Sequence, residues 1–198
     1  MSTAWPASIP IVSSEWRLNE NKASTESLFT RARQVVSLSG GTADRWEGVL
    51  TTPPLTAAQV RTMMAFLVAV GRFGQVTIGD PDYDGPSSGE GDGAVDGAGQ
   101  SGTSLDCKSF STSTTILLAG EYFQVGTELK MLTADATTDG AGLVTLEFAP
   151  ALRSSPGDSD PVILDGPVAL VHLLENPVKA TDSLKMGIFN IPFAEVLA

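Results

Sequence analysis

A Gly- and Asp-rich segment interrupts this chain near its middle. From Asp80 to Gly102 the sequence reads DPDYDGPSSGEGDGAVDGAGQSG and supplies few side chains that could fill a core. This composition is typical of a long loop, and the blocks on either side of it have strand-like patterns. We therefore predict a linker at residues 85–102, between a first β-rich block at 1–84 and a second at 103–165.

The first block contains short segments with the residue types of strands. Residues 28–38 (LFTRARQVVSL) are rich in β-formers, and residues 45–52 (RWEGVLTT) alternate apolar and polar side chains. Gly40 and Gly41 lie between the two segments and favour a turn. The pattern predicts an antiparallel hairpin that pairs 28–38 with 45–52.

One helix is predicted, at residues 57–70. Thr56 and Gln59 have the spacing of a capping box, and Gly71 suits the C-terminal cap. Apolar residues recur at the i, i+3, i+4, i+7 and i+8 positions that form one face of an amphipathic helix. We expect this face to cover a sheet through Val60, Met63, Met64, Leu67 and Val68.

The second block, 103–165, contains strand-like segments at roughly ten-residue spacing, separated by Gly-containing turns. Such spacing predicts a small β-barrel or sandwich. Residues 166–198 are again strand-like but too few to fold alone. We expect them to pair with the N-terminal strands, so that a domain of 1–84 plus 166–198 carries the second block as an insertion.

The charge pattern argues against nucleic-acid binding. The formal net charge is −11, and the 12 basic residues are scattered along the chain. Binding by counterion release would need clustered Lys and Arg side chains. Charged residues make up only 18% of the chain, below the roughly 25% that is usual for soluble domains. Together with 20 Gly and 12 Pro, this low fraction favours strands and turns over a helix bundle, and a surface partly hidden in an assembly is the alternative.

An acidic string at the start of the Gly-rich segment resembles the beginning of a calcium-binding loop. Asp80, Asp82 and Asp84 are followed by Gly85, as in an EF-hand. Position 12 of that loop should be a bidentate Glu but is Gly91, and no amphipathic helix precedes it. The pattern favours a solvated acidic turn, with calcium at the three aspartates as the alternative.

Catalytic patterns are weak. The chain has one cysteine, Cys107, and one histidine, His172, which leaves no zinc pattern. The match to G-x-G-x-x-G at 97–102 opens no helix, and no G-x-S-x-G elbow occurs. We expect Cys107 to be a small buried hydrophobe and predict no catalytic residues, no metal and no cofactor. A hydrolase that uses His172 is the alternative.

The order of features resembles a known protein family. The segment RWEGVLTTPPLT, the capped helix AAQVRTMMAFLVAVG and the strand leading to DPDYDGP are similar to the small tail proteins of long-tailed phages. The segments GQSGTSLDC and LLAGEYFQVGTELKMLTADATTDGAGLVTLEFAPALRSSP resemble the β domain inserted in such proteins, and GIFNIPFAEVLA resembles their closing strand. The group is that of distal tail proteins and related minor tail proteins.

The resemblance implies a tail-tube-like β-sandwich with one flanking helix, and no enzymatic activity. It further implies a ring, commonly a hexamer, at the virion tail tip, assembled in the host cytoplasm between the tail-tube protein and the baseplate hub or tail fibres. The genome would pass through an acidic lumen without specific binding. The inserted domain could contact host glycans, so a carbohydrate-binding adhesion module is the alternative function. The candidate packing and assembly residues are Trp46, Val60, Met63, Met64 and Leu67.

Overall fold

The computed structural model describes residues 3–38, 41–71, 74–174, 180–181 and 187–197. Its helix α1 is Ala57–Val70. In chain order, its first nine strands are β1 (Thr3–Ala4), β2 (Ser13–Asn19), β3 (Lys22–Glu26), β4 (Arg33–Ser37), β5 (Arg45–Thr51), β6 (Gln75–Ile78), β7 (Gly93–Val95), β8 (Gly102–Lys108) and β9 (Thr115–Leu117). The other nine are β10 (Tyr122–Val125), β11 (Glu128–Leu132), β12 (Ala136–Thr137), β13 (Val144–Leu152), β14 (Pro161–Ile163), β15 (Ala169–Leu173), β16 (Ala180–Thr181), β17 (Gly187–Ile188) and β18 (Asn190–Glu195).

Six of these strands form one sheet in the order β1–β6–β15–β18–β5–β2. The strand β18, from the C-terminal end of the chain, lies between β15 and β5 and is antiparallel to both. Only the short pair β1–β6 in this sheet is parallel. The sheet thus combines strands from the beginning and the end of the chain.

The helix α1 covers one face of this sheet. Thr56 caps it, because its hydroxyl accepts a hydrogen bond from the backbone of Gln59 while the Gln59 side chain accepts one from the backbone of Thr56. Met63 is fully buried against the sheet, as are most of the apolar side chains on the same helix face. Met64 is 39% exposed and Val68 is 78% exposed, so the prediction that these two side chains help to cover the sheet is wrong.

The middle of the chain forms a closed six-stranded barrel in the order β10–β11–β13–β8–β7–β14. The rings of Phe123 and Phe148 meet edge to face in its interior, with 5.3 Å between their centroids. The predicted linker at 85–102 is wrong in part, since β7 lies within it and β8 begins at its last residue. The reason is Val95, which is fully buried in the barrel core and pairs with Cys107.

Among the described residues, the mainly-β fold with one helix and a small barrel is confirmed. The predicted pairing of 28–38 with 45–52 is wrong. Instead, β4 pairs with β3, and β5 pairs with β2 and β18. Of the helices in the described residues, none has the length and apolarity needed to span a membrane.

Candidate assembly surface

A two-stranded arm projects beyond the six-stranded sheet. The arm is residues 20–38, and it continues the paired strands β2 and β5 through β3 and β4. The pairing of β3 and β4 runs from Lys22 opposite Ser37 to Glu26 opposite Arg33. Every residue in these two strands is exposed, so neither face of the arm packs on the described part of its own chain.

The tip of the arm presents two apolar side chains to solvent. Leu28 is 91% exposed and Phe29 is 98% exposed. The tip has an ordered backbone, because Ser27 donates to the Ala32 carbonyl and accepts from the Arg31 amide, each at 2.9 Å. This turn therefore holds the two apolar side chains away from the sheet.

The strand β2 is a second candidate for a subunit contact, because one of its backbone edges is open. It ends the six-stranded sheet, and among the described residues its outer edge has no strand partner. Open edges of this kind present unpaired N–H and C=O groups to other chains. A groove of about 580 Å³ crosses the sheet face beside this edge and includes Glu15, Val49, Leu174 and Pro192 in its lining.

The carboxylate of Glu47 in this groove already forms ion pairs with two basic side chains. Arg45 contacts it at 2.8 Å and Arg17 at 3.3 Å. Burial raises the pKa of Glu47, but hydrogen bonds from Asn19 and Arg45 outweigh that effect and leave the pKa lowered. An ionised carboxylate held by two guanidinium groups is suited to fixing strand positions and not to general base catalysis.

The outer face of α1 is a third exposed surface with few charges. Val68 is 78% exposed, and it shares this face with Met64 and several alanines. Arg61 is the only charged residue in the 14-residue helix. A surface helix normally carries many charged side chains on its outer face. The low number of charged side chains on this face is typical of a surface that contacts another subunit.

Four of the five candidate packing residues lie in the core of the protein. Val60, Met63 and Leu67 belong to the core beneath the helix. The indole of Trp46 is buried where the sheet meets the barrel. Met64 alone in this group reaches the surface. Four of these five residues therefore support the fold, and exposed apolar side chains lie on the arm and on the outer face of α1.

The three aspartates of the acidic string are not arranged as a metal site. Asp80 accepts hydrogen bonds from the Ser14 hydroxyl and from the backbone N–H of Asp82, at 3.0 and 3.2 Å. These bonds make a local turn that is tied to the start of β2. Within the described ranges, no group of three or more His, Cys, Asp or Glu side chains could hold a metal ion.

The two candidate reactive side chains lie in structural positions. Cys107 is buried in the barrel, and burial raises the pKa of its thiol to about 12. His172 lies half-buried in β15, and in the part of the chain that the structure describes its Nδ1 has no hydrogen-bond partner. A catalytic triad would need a carboxylate at one ring nitrogen to orient the imidazole.

Four buried charges lie where the barrel meets the sheet. Of these, Glu195 belongs to the sheet, and Glu128, Lys130 and Arg153 belong to the barrel unit. Arg153 forms an ion pair with Glu195, and Lys130 forms one with Glu128 at 2.6 Å. Glu195 also accepts hydrogen bonds at 3.2 Å from the backbone of Trp46 in the sheet and Leu129 in the barrel. Burial raises the pKa of Glu128, but Lys130 and backbone donors leave it lowered, so the carboxylate is ionised. This junction holds the two units in one orientation.

Sequence reasoning did not identify the arm as a separate element. Residues 22–26 (KASTE) contain no large apolar side chain, so they carry no strand pattern of the usual kind. The feature of the sequence that could have indicated this hairpin is the opposite charge of Glu26 and Arg33, which lie opposite each other across a short turn. Comparison with known proteins gave no match to a protein-family model and no match to a curated protein.

Proposed function

We propose that this chain is a structural subunit of a phage tail tip that assembles with further copies of itself into a ring. The observation that carries this proposal is the arm, whose strands are exposed on both faces and whose tip presents Leu28 and Phe29 to solvent. An isolated two-stranded hairpin is at best marginally stable in water. An arm of this kind gains stability when another subunit covers it.

The open edge of β2 supports the same proposal. A contact in which the arm of one copy meets a different surface of the next copy is heterologous, and such contacts close into a ring when the rotation between copies permits. The low charged fraction of 18% and the nearly uncharged outer face of α1 agree with extensive subunit contacts. The hexameric order comes from the resemblance to distal tail proteins.

The barrel would decorate this ring at a fixed angle. The buried ion pair of Arg153 with Glu195 and the hydrogen bond from the Trp46 indole to the Leu129 carbonyl join it to the sheet. Each copy would therefore present its barrel in the same orientation to the baseplate hub, to tail fibres or to the tail-tube protein. The net charge of −11 suits a ring through which DNA passes without specific binding.

A carbohydrate-binding role for the barrel receives less support. Within the described part of the barrel unit, Phe110, Phe123 and Phe148 are buried. Its other aromatic side chain, Tyr122, packs edge to face between Trp46 and Tyr83. The barrel thus lacks an exposed aromatic ring on which a sugar could stack. Binding of the full-length protein to a glycan array would restore this alternative.

The test is the assembly state of the purified protein, measured by sedimentation velocity and electron microscopy. We expect rings of the wild type, and smaller species for a double variant at the tip, Leu28→Ser with Phe29→Ser. Leu143→Ser is the matched control, because Leu143 is an exposed leucine on the barrel, away from the arm. A wild type that stays monomeric at high concentration contradicts the proposal, and so does equal loss of assembly in both variants.

A further inference from the structure

The two faces of the arm differ in chemistry. Side chains that lie opposite each other in an antiparallel pair project from the same face, and successive residues alternate between faces. The register of β3 and β4 pairs Ala23 with Val36 and Thr25 with Gln34, and a hydrogen bond from Leu38 N to Asn21 O extends it by one pair. The uncharged face thus consists of Asn21, Ala23, Thr25, Gln34, Val36 and Leu38. The charged face consists of Lys22, Ser24, Glu26, Arg33, Val35 and Ser37.

The charged face is satisfied by contacts within the arm. Lys22 forms an ion pair with Glu20, and Arg31 at the turn lies 3.7 Å from Glu26. Arg33 donates a hydrogen bond to the Ser24 hydroxyl at 3.2 Å. Moving these charged groups out of water would cost desolvation free energy.

The uncharged face has the opposite character. Val36 is 48% exposed and Leu38 is 64% exposed, and the small side chain of Ala23 lies opposite Val36. This face holds no ionised group, so burying it removes apolar surface from water without separating a charge from its solvent. It leads towards the apolar tip formed by Leu28 and Phe29.

We propose that the uncharged face and the tip lie against a second copy of this chain, while the charged face stays in water. This inference rests on the proposed ring and specifies which side of the arm forms the contact. Charge complementarity selects a second copy as the occupant. The arm has three basic and two acidic side chains and a net charge of +1, which leaves −12 for the rest of the chain. This opposite sign favours encounter of the arm with the body of another copy, and the contact itself is made by the uncharged face.

The test introduces the same substitution, Val to Glu, at two adjacent positions and compares the effects on self-association. Val35 and Val36 are neighbouring, similarly exposed valines that project from opposite faces of β4. Val36→Glu would place an unpaired carboxylate in the proposed contact, and we expect it to weaken self-association at least about tenfold. Val35→Glu adds the same charge to the solvated face, and we expect its sedimentation profile to match that of the wild type. Urea unfolding of both variants checks that each folds normally.

The outcomes separate this inference from the proposed function. Loss of assembly in Val35→Glu alone would show that the ring forms but that the contact face is the charged one. Equal loss of assembly in both variants would show that the contact does not distinguish the two faces of the arm. Wild-type assembly in both would mean that something other than a second copy covers this face. A monomeric wild type would overturn the ring and this inference together.

Discussion

The indole Nε1 of Trp46 donates a 2.9 Å hydrogen bond to the backbone carbonyl of Leu129. Trp46 lies in the six-stranded sheet and Leu129 in the barrel, and both side chains are buried. The bond therefore connects residues that are far apart in the chain and belong to different units. Its position makes it a direct probe of how firmly the barrel is held to the sheet.

Replacing Trp46 with Phe should destabilise the protein by about 1–3 kcal/mol, because the carbonyl of Leu129 would remain buried without its donor. Urea unfolding, followed by circular dichroism, measures this change. Trp16→Phe is the matched control, since the Nε1 of Trp16 is buried and has no hydrogen-bond partner among the described residues. Removing that N–H should cost less than removing the one on Trp46. Equal costs would show that the hydrogen bond contributes little.

The ion pair between Arg153 and Glu195 should be among the most sensitive contacts in the chain. Glu195→Gln keeps the shape of the side chain but removes the carboxylate that pairs with the buried guanidinium of Arg153. The remaining carboxylate near Arg153 is that of Glu128, 3.9 Å away and already paired with Lys130. Losing one partner of a buried pair costs about 3–5 kcal/mol. We expect a loss of this size in the free energy of unfolding.

An exposed ion pair in the arm provides the control for this prediction. Glu26→Gln removes the partner of Arg31, and both side chains are more than half exposed. Exposed pairs of this kind contribute about 0–1 kcal/mol. A Glu195→Gln variant that loses no more stability than Glu26→Gln would show that the junction is open to water.

The adjacent methionines of α1 should respond very differently to truncation. Met63→Ala should cost about 2–5 kcal/mol, because Met63 is fully buried beneath the helix. Met64→Ala should change stability by no more than about 0.5 kcal/mol, because Met64 lies on the exposed face. Thermal or urea unfolding of the pair measures the difference. Similar losses would mean that the helix is rotated from the orientation described.

The helix illustrates what the sequence could predict. Its bounds and its capping box follow from local spacing, and both match the structure. Local spacing could not decide between Met63 and Met64, since both fall on the i, i+3, i+4 pattern. Which of them is buried depends on where the helix axis lies over the sheet, and this is fixed by packing against residues far away in the chain.

The barrel and the arm show where prediction from sequence ends. Val95 lies in a segment so rich in Gly and Asp that it indicates a linker, yet the pairing of this residue with Cys107 brings the segment into the barrel. The arm was missed because its strands satisfy each other and bury nothing. Both errors have one cause, which is that a strand depends on the residues that it pairs with and packs against more than on its own residue types, so it leaves little trace in a short window of sequence.

The buried thiol of Cys107 should make the protein less stable in alkaline solution. Burial raises the pKa of this thiol from 9.0 to about 12, so above pH 9 the unfolded chain loses a proton that the folded chain keeps. The stability contributed by this group is therefore complete below pH 9 and declines as the pH rises towards 12. Between pH 9 and pH 10 the expected loss is about 1 kcal/mol.

Cys107→Ala isolates this effect. Burial also raises the pKa of Tyr83 from 10.0 to about 12, so the interval between pH 9 and pH 10 is the one in which the thiol should dominate. The variant should be less stable than the wild type at neutral pH, because a buried group is removed, but should lose less stability than the wild type across that interval. Urea unfolding at the two pH values measures the slope. Parallel slopes for wild type and variant would show that the thiol ionises equally well in the folded chain.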